Sequence, residues 1–179
     1  MKKIMNFVLC MLCLFSINAV VNGATNVNSV VQEIRNEKDR TDREKLTVRK
    51  EKMKEELEGE EVSFYYKGNV LKKIASIRYY DTFYETAEEY REYYIKNDKV
   101  YFIYEKMTNT KHDTVKNTSK VSGIYETRYY FDPNGNIVRY VDSDGNIHEN
   151  DSQMREASKE IKGYKPSFLG NRLWVWRYE

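Results

Sequence analysis

Fourteen of the sixteen tyrosines fall between Tyr65 and Tyr140, in short runs bounded by glycine, asparagine and aspartate. Aromatic and β-branched side chains suit a pleated, half-buried surface, so this density restricts the middle of the chain to β structure. The runs are Val62 to Tyr66, Leu71 to Tyr80, Glu89 to Ile95, Val100 to Lys106, Ile124 to Phe131 and Ile137 to Val141. Their connectors, Lys67-Gly68-Asn69, Asn97-Asp98, Pro133-Asn134-Gly135 and Ser143-Asp144-Gly145, are short and rich in turn formers. Strands joined by such turns are antiparallel neighbours, which predicts a curved meander of about six or seven strands. Alternation then assigns faces. In Val100 to Glu105, Val100, Phe102 and Tyr104 share one side and Tyr101, Ile103 and Glu105 the other. Neither side is purely polar, so the sheet is expected to be covered on both faces, with terminal helices as the lids.

The flanks supply those helices. From Asn26 to Glu60 there is no aromatic residue and no proline, and charges of both signs crowd together. Val27, Val30, Val31 and Ile34 lie at helical spacing, and Leu46, Met53 and Leu57 form a thinner second stripe. Arg35 to Lys45 offers no apolar residue to bury. One long or two shorter helices with a solvated middle are predicted, stopped at Gly59. Thr82 to Glu88 is read as a loop. Near the C-terminus, Met154, Ala157 and Ile161 share one face of a helix over Ser152 to Lys162, and Leu173 to Tyr178 alternates as a final strand. The predicted class is α+β: N-terminal charged helix or helices, the antiparallel meander, then a short C-terminal helix and final strand. The predicted organisation is a signal peptide over 1–24, a charged helical segment over 25–60 and a tyrosine-rich β domain with its C-terminal helix over 61–179.

The first residues read as a secretory signal. Lys2 and Lys3 form a positive start, Phe7 to Phe15 is an unbroken apolar run, and the small residues Ala19, Gly23 and Ala24 follow. A spanning helix needs roughly 20 consecutive apolar residues, and Asn6, Ser16 and Asn18 interrupt this stretch. Cleavage is therefore expected, after Gly23 or Ala24, leaving an exported chain, secreted or periplasmic, with no membrane span. Cys10 and Cys13 both lie inside the signal, each after a leucine where a lipoprotein signal requires a small residue. The mature chain then has no cysteine and no disulfide, and its core alone must hold it together. Lys2 and Lys3 also carry the whole formal charge of +2, so the mature chain is formally neutral. Neutrality argues against nucleic acid and anionic lipid as partners. The abundance of Lys, Asn, Ile and Tyr fits an AT-rich bacterial genome.

Asp132, Asn134 and Asn136, and again Asp142, Asp144 and Asn146, have the alternate-oxygen spacing of a calcium loop. The sixth position of each is isoleucine rather than glycine and the twelfth is not glutamate, so tight turns explain them better. The segment from Tyr129 to Ile147 resembles the tyrosine-aspartate repeats of secreted bacterial shell proteins, over about one and a half units. A longer stretch resembles small secreted bacterial proteins of unassigned function. The likeness rests on Ile34-Arg35, Tyr65-Tyr66-x-Gly68, Leu71-Lys72-Lys73-Ile74, Glu92-Tyr93-Tyr94 and Glu126-Thr127-Arg128-Tyr129-Tyr130-Phe131 before an Asn-Gly turn. That resemblance implies a fold and no activity.

Only two histidines exist, His112 and His148, both in polar segments, and no nucleophile motif surrounds a serine. His148, Glu149 and Asp151 have the ligand types of a metal site but the composition of a helix cap. Carboxylates such as Glu85, Glu88, Glu89 and Glu92 read as a solvated face. No cofactor, metal or catalytic residue is assigned. The expected function is non-catalytic binding of an envelope protein or glycan through an aromatic sheet face bearing Tyr79, Tyr80, Tyr93, Tyr94, Tyr129 and Tyr130. Cross-strand packing is the competing role for these rings, and a cell-envelope or host-polymer hydrolase is the competing function.

Overall fold

The computed structural model describes residues 26–52, 60–82 and 84–163. The chain is α+β: one N-terminal helix, an open eight-stranded antiparallel sheet and a short C-terminal helix. Helix α1 spans Val27–Arg43, and Asn26 caps it by accepting a hydrogen bond from the Asn28 amide at 3.1 Å. The strands follow as β1 (Thr47–Lys52), β2 (Glu60–Lys67), β3 (Val70–Asp81), β4 (Glu85–Lys96), β5 (Lys99–Asp113), β6 (Thr118–Phe131), β7 (Ile137–Val141) and β8 (Ile147–His148), and α2 covers Ser152–Gly163. Each strand pairs only with its sequence neighbours, so the sheet order is the chain order. The signal segment and the expected strand Leu173 to Tyr178 lie outside the described residues.

The connectors behave as their composition demands. Gly68, Asn97, Asp98, Gly135 and Gly145 all take the positive φ that a tight hairpin turn requires. The two aspartate loops are built alike. The Asp132 carboxylate accepts from the Asn134 and Asn136 amides at 2.8 Å each, and Asp142 accepts from those of Asp144 and Asn146 at 3.0 and 2.8 Å. The side-chain amides of Asn136 and Asn146 bind the second oxygen of each aspartate. Both carboxylates hold their own turns.

Register explains the two cores. One row across the sheet runs Phe64, Ile74, Tyr93, Ile103, Tyr129, Tyr140, His148, and the adjacent row runs Tyr65, Lys73, Tyr94, Phe102, Tyr130, Arg139. Neighbours along a strand point to opposite faces, so each Tyr-Tyr doublet sends one ring each way. The first row packs with Met154, Ala157 and Ile161 of α2, and the second with Val31 and Ile34 of α1. The expected two-sided cover is therefore present, one helix to each face.

Three expectations change. Thr82 to Glu88, read as a loop, is strand from Glu85 onward, paired to β3 and β5. The second helical stripe, begun at Leu46, is not a helix over its described part: Thr47–Lys52 is strand β1, paired to β2 from Thr47↔Tyr66 to Lys52↔Glu61. Pairing to an aromatic neighbour overrides a helix-like composition there, and the charges suit an edge position, where they discourage further strand addition. Met107–Asp113 and Thr118–Gly123, outside the predicted runs Val100 to Lys106 and Ile124 to Phe131, extend β5 and β6 into a long hairpin. Its tip is closed by Asp113, which accepts from the Val115 and Lys116 amides at 3.1 and 3.0 Å.

Candidate binding surface

The two helices cover only part of the sheet. Beyond them, β3 to β6 continue as a blade exposed on both faces. On the α1 side, one register row holds Tyr79, Glu88, Thr108 and Ile124. On the other side, neighbouring rows hold Arg78, Glu89, Met107 and Tyr125, then Tyr80, Ala87, Asn109 and Gly123. Tyr79, Tyr84, Ile124 and Tyr125 are respectively 55%, 69%, 55% and 48% exposed, and Tyr80, Met107 and Val121 are also exposed. Gly123 makes room for a ring: a Cβ added there would lie 2.7 Å from Tyr125. Tyr80 is braced at the rim, its hydroxyl donating to Glu89 at 3.1 Å and accepting from Arg78 at 3.0 Å.

Of the six tyrosines singled out from the sequence, only Tyr79 and Tyr80 lie on this open blade. Tyr93 and Tyr94 are 1% exposed and Tyr129 and Tyr130 3–4%. Tyr93 and Tyr129 are sealed under α2, and Tyr94 and Tyr130 under α1. These four therefore do not form an open face. Sequence reasoning missed Tyr125, Met107 and Ile124 as exposed partners. The alternation of β5 and β6 carries that signal once the strands are known to outrun the helices.

Beneath the end of α1 lies a polar cluster. The Lys73 ammonium bonds Glu92, stands 3.6 Å from Asp42, and packs over the Tyr94 and Tyr65 rings at 4.9 and 5.4 Å. The Tyr94 hydroxyl lies 2.8 Å from Asp42 and 2.9 Å from Glu92, and Tyr90 donates to Glu92 at 2.5 Å. Burial, and then the negative charges of Glu92 and Asp42, push the Tyr94 hydroxyl far above the ordinary phenol range, so it stays protonated and donates. Burial works to raise the Asp42 carboxyl, but hydrogen bonds from Lys38 and Tyr94 outweigh it and hold the group below its usual value.

A second cluster joins β8 to α2. The His148 ring lies between two carboxylates, 3.0 Å from Asp142 and 2.7 Å from Asp151, and stacks on Tyr140 at 5.6 Å. Hydrogen bonds from His148 and Asn146 lower Asp142 to about 2, while Asp142 and then Asp151 raise His148 above its usual value. Asp151 also accepts from the Met154 amide at 2.8 Å, as a helix cap does. Glu149 is drawn away to Arg139. The three residues considered as metal ligands are thus a cap and two ion pairs, and among the described residues no group of three acidic, cysteine or histidine side chains could hold a metal ion. His112 binds the hydroxyls of Ser119 and Thr86 at 2.9 and 3.2 Å. Among the described residues no helix is long and apolar enough to cross a membrane. No family model, curated protein or solved structure matches the chain.

Proposed function

We propose that this is an exported, non-catalytic protein that binds a protein partner through the uncovered blade of its sheet. The observation that carries the reading is the exposure of Tyr79, Tyr84, Met107, Ile124 and Tyr125 together beyond the reach of either helix. These side chains stand on both faces of the blade, Tyr79 and Ile124 on the α1 side and Met107 and Tyr125 on the other, and exposed aromatic and methionine side chains are enriched at interaction sites. The mixture favours protein over glycan: sugars stack on aromatic rings, whereas Met107, Val121 and Ile124 add aliphatic surface that suits an apolar protein face. The non-catalytic reading is supported by the sequence, in which no nucleophile motif surrounds a serine. Export is supported by the sequence of residues 1–24.

The test uses purified mature chain as bait against the extracytoplasmic protein fraction. The double variant Tyr79→Ser/Ile124→Ser is expected to lose a captured partner that the wild type and the edge variant Val48→Ser both retain. Retention by the double variant would overturn the proposal, and release by free glycan would favour the sugar reading. Sequencing the N-terminus of the secreted chain checks export, with a start at Ala24 or Thr25 expected.

A further inference from the structure

Two of the tyrosines read from the sequence as binding residues, Tyr94 and Tyr130, lie under the chain's own helix α1. Helix α1 docks in two unlike halves. Its first half inserts Val31 and Ile34 into the core, with Val27 and Val30 at the margin. Its second half, from Arg35 onward, has no apolar residue, and side-chain polar contacts hold it down. Arg35 reaches the Tyr130 hydroxyl at 3.4 Å, Thr41 meets that of Tyr101 at 3.3 Å, and Asp42 meets that of Tyr94 at 2.8 Å. Glu37 pairs with Lys96 at 3.0 Å, and Glu44, just past the helix, pairs with Lys67 at 2.9 Å. The Glu37–Lys96 and Glu44–Lys67 pairs reach solvent through lysines that are 50% and 60% exposed and stabilise weakly, whereas Thr41 and the Tyr94 ring are buried. Below these contacts lies a continuous aromatic floor, with ring centroids 5.6 Å apart for Tyr94 and Phe102 and 5.0 Å apart for Phe102 and Tyr130.

We infer that α1 is a displaceable strap: it leaves the sheet as a unit while the sheet stays folded, uncovering Tyr94, Tyr101, Phe102 and Tyr130. The strap is an internal ligand of that face, distinct from the blade. The sheet does not need α1 for its integrity, since every strand pairs in chain order and the opposite core under α2 contains no α1 residue. Opening of this kind belongs to the sub-global fluctuations drawn from elements with few buried apolar contacts.

The sheet carries its own control. Tyr93 and Tyr94 are adjacent in sequence, as are Tyr129 and Tyr130, yet one of each pair lies under α2 and the other under α1. The mature full chain is treated with N-acetylimidazole under native conditions, and slow acetylation of each tyrosine is followed by fragment mass spectrometry. Hydrogen exchange of α1 and of the β4–β5 core is measured in parallel. The strap predicts that Tyr94 and Tyr130 react at least tenfold faster than Tyr93 and Tyr129, and that α1 amides exchange ahead of the β4–β5 core. Asp42→Asn should accelerate both readouts at α1 several-fold and leave the core amides unchanged. If that variant does not fold, Thr41→Val supplies the same comparison. One common rate for all four tyrosines, with α1 exchanging in step with β4–β5, would overturn the inference.

Discussion

Tyr94→Phe removes one oxygen from a side chain that is otherwise fully packed, so the cost isolates the hydroxyl. That hydroxyl lies between the Asp42 and Glu92 carboxylates at 2.8 and 2.9 Å and accepts from Lys73 at 3.2 Å. Hydrogen bonds to charged groups contribute about 1.5–3 kcal/mol, and leaving a part-buried carboxylate short of a donor adds to the loss. Asp42 is a third exposed, so water recovers part of its deficit, and about 2 kcal/mol is expected. For a domain of this size that corresponds to a fall in Tm of roughly 5–10 °C. Tyr130→Phe is the control. Its ring is equally buried and on the same face, but among the described residues its hydroxyl meets only the Arg35 guanidinium, at 3.4 Å, so a loss under about 1 kcal/mol is expected. Urea unfolding followed by circular dichroism measures both variants. Equal losses, or a change below about 0.5 kcal/mol for Tyr94→Phe, would refute the view that the cluster under α1 contributes to stability.

His148 should titrate above its usual value in the folded chain, because two carboxylates favour the imidazolium. Its contribution to stability is full below the unfolded value near 6.5 and lost as pH rises through the higher folded one; that of Asp142 is lost as pH falls from 3.8 toward about 2. The β8–α2 junction is therefore tightest in mildly acidic solution, which NMR titration of the His148 ring and exchange of the Met154 amide would check. Gly135→Ala and Gly145→Ala should each cost about 1–2 kcal/mol although an added Cβ meets nothing within 4 Å, because φ is 86° and 84° there. Gly123→Ala should cost less than about 1 kcal/mol, since the half-exposed Tyr125 ring can swing into solvent. Ile103→Ala should cost about 2–5 kcal/mol and Ile124→Ala within about 0.5, as buried and exposed members of neighbouring strands, both read by denaturant midpoint.

Most of the sheet is legible in the sequence because its turns and doublets agree. Asn97-Asp98 and the two Asp-x-x-Gly-Asn loops fix where strands reverse, and the tyrosine doublets require cover on both faces. What escapes is decided by contacts remote in sequence. Thr47–Lys52 has two β-branched residues followed by four charged ones, and pairing with Tyr65 and Tyr66 decides its state. The far halves of β5 and β6 are rich in Thr, Lys, Ser and Asn, and their strand state follows from a shared hairpin. The doublets also show why the candidate binding residues divide. A Tyr-Tyr pair signals two faces, but the length of each helix determines which rings remain in water.

The sheet is sealed near its helices and open along its blade. Hydroxyl-radical footprinting of the folded chain tests this directly, residue by residue. Rapid oxidation of Tyr79, Tyr84, Met107 and Tyr125 with protection of Met154, Tyr93 and Tyr129 is the predicted result. Comparable oxidation of Met107 and Met154, or of Tyr79 and Tyr93, would contradict it.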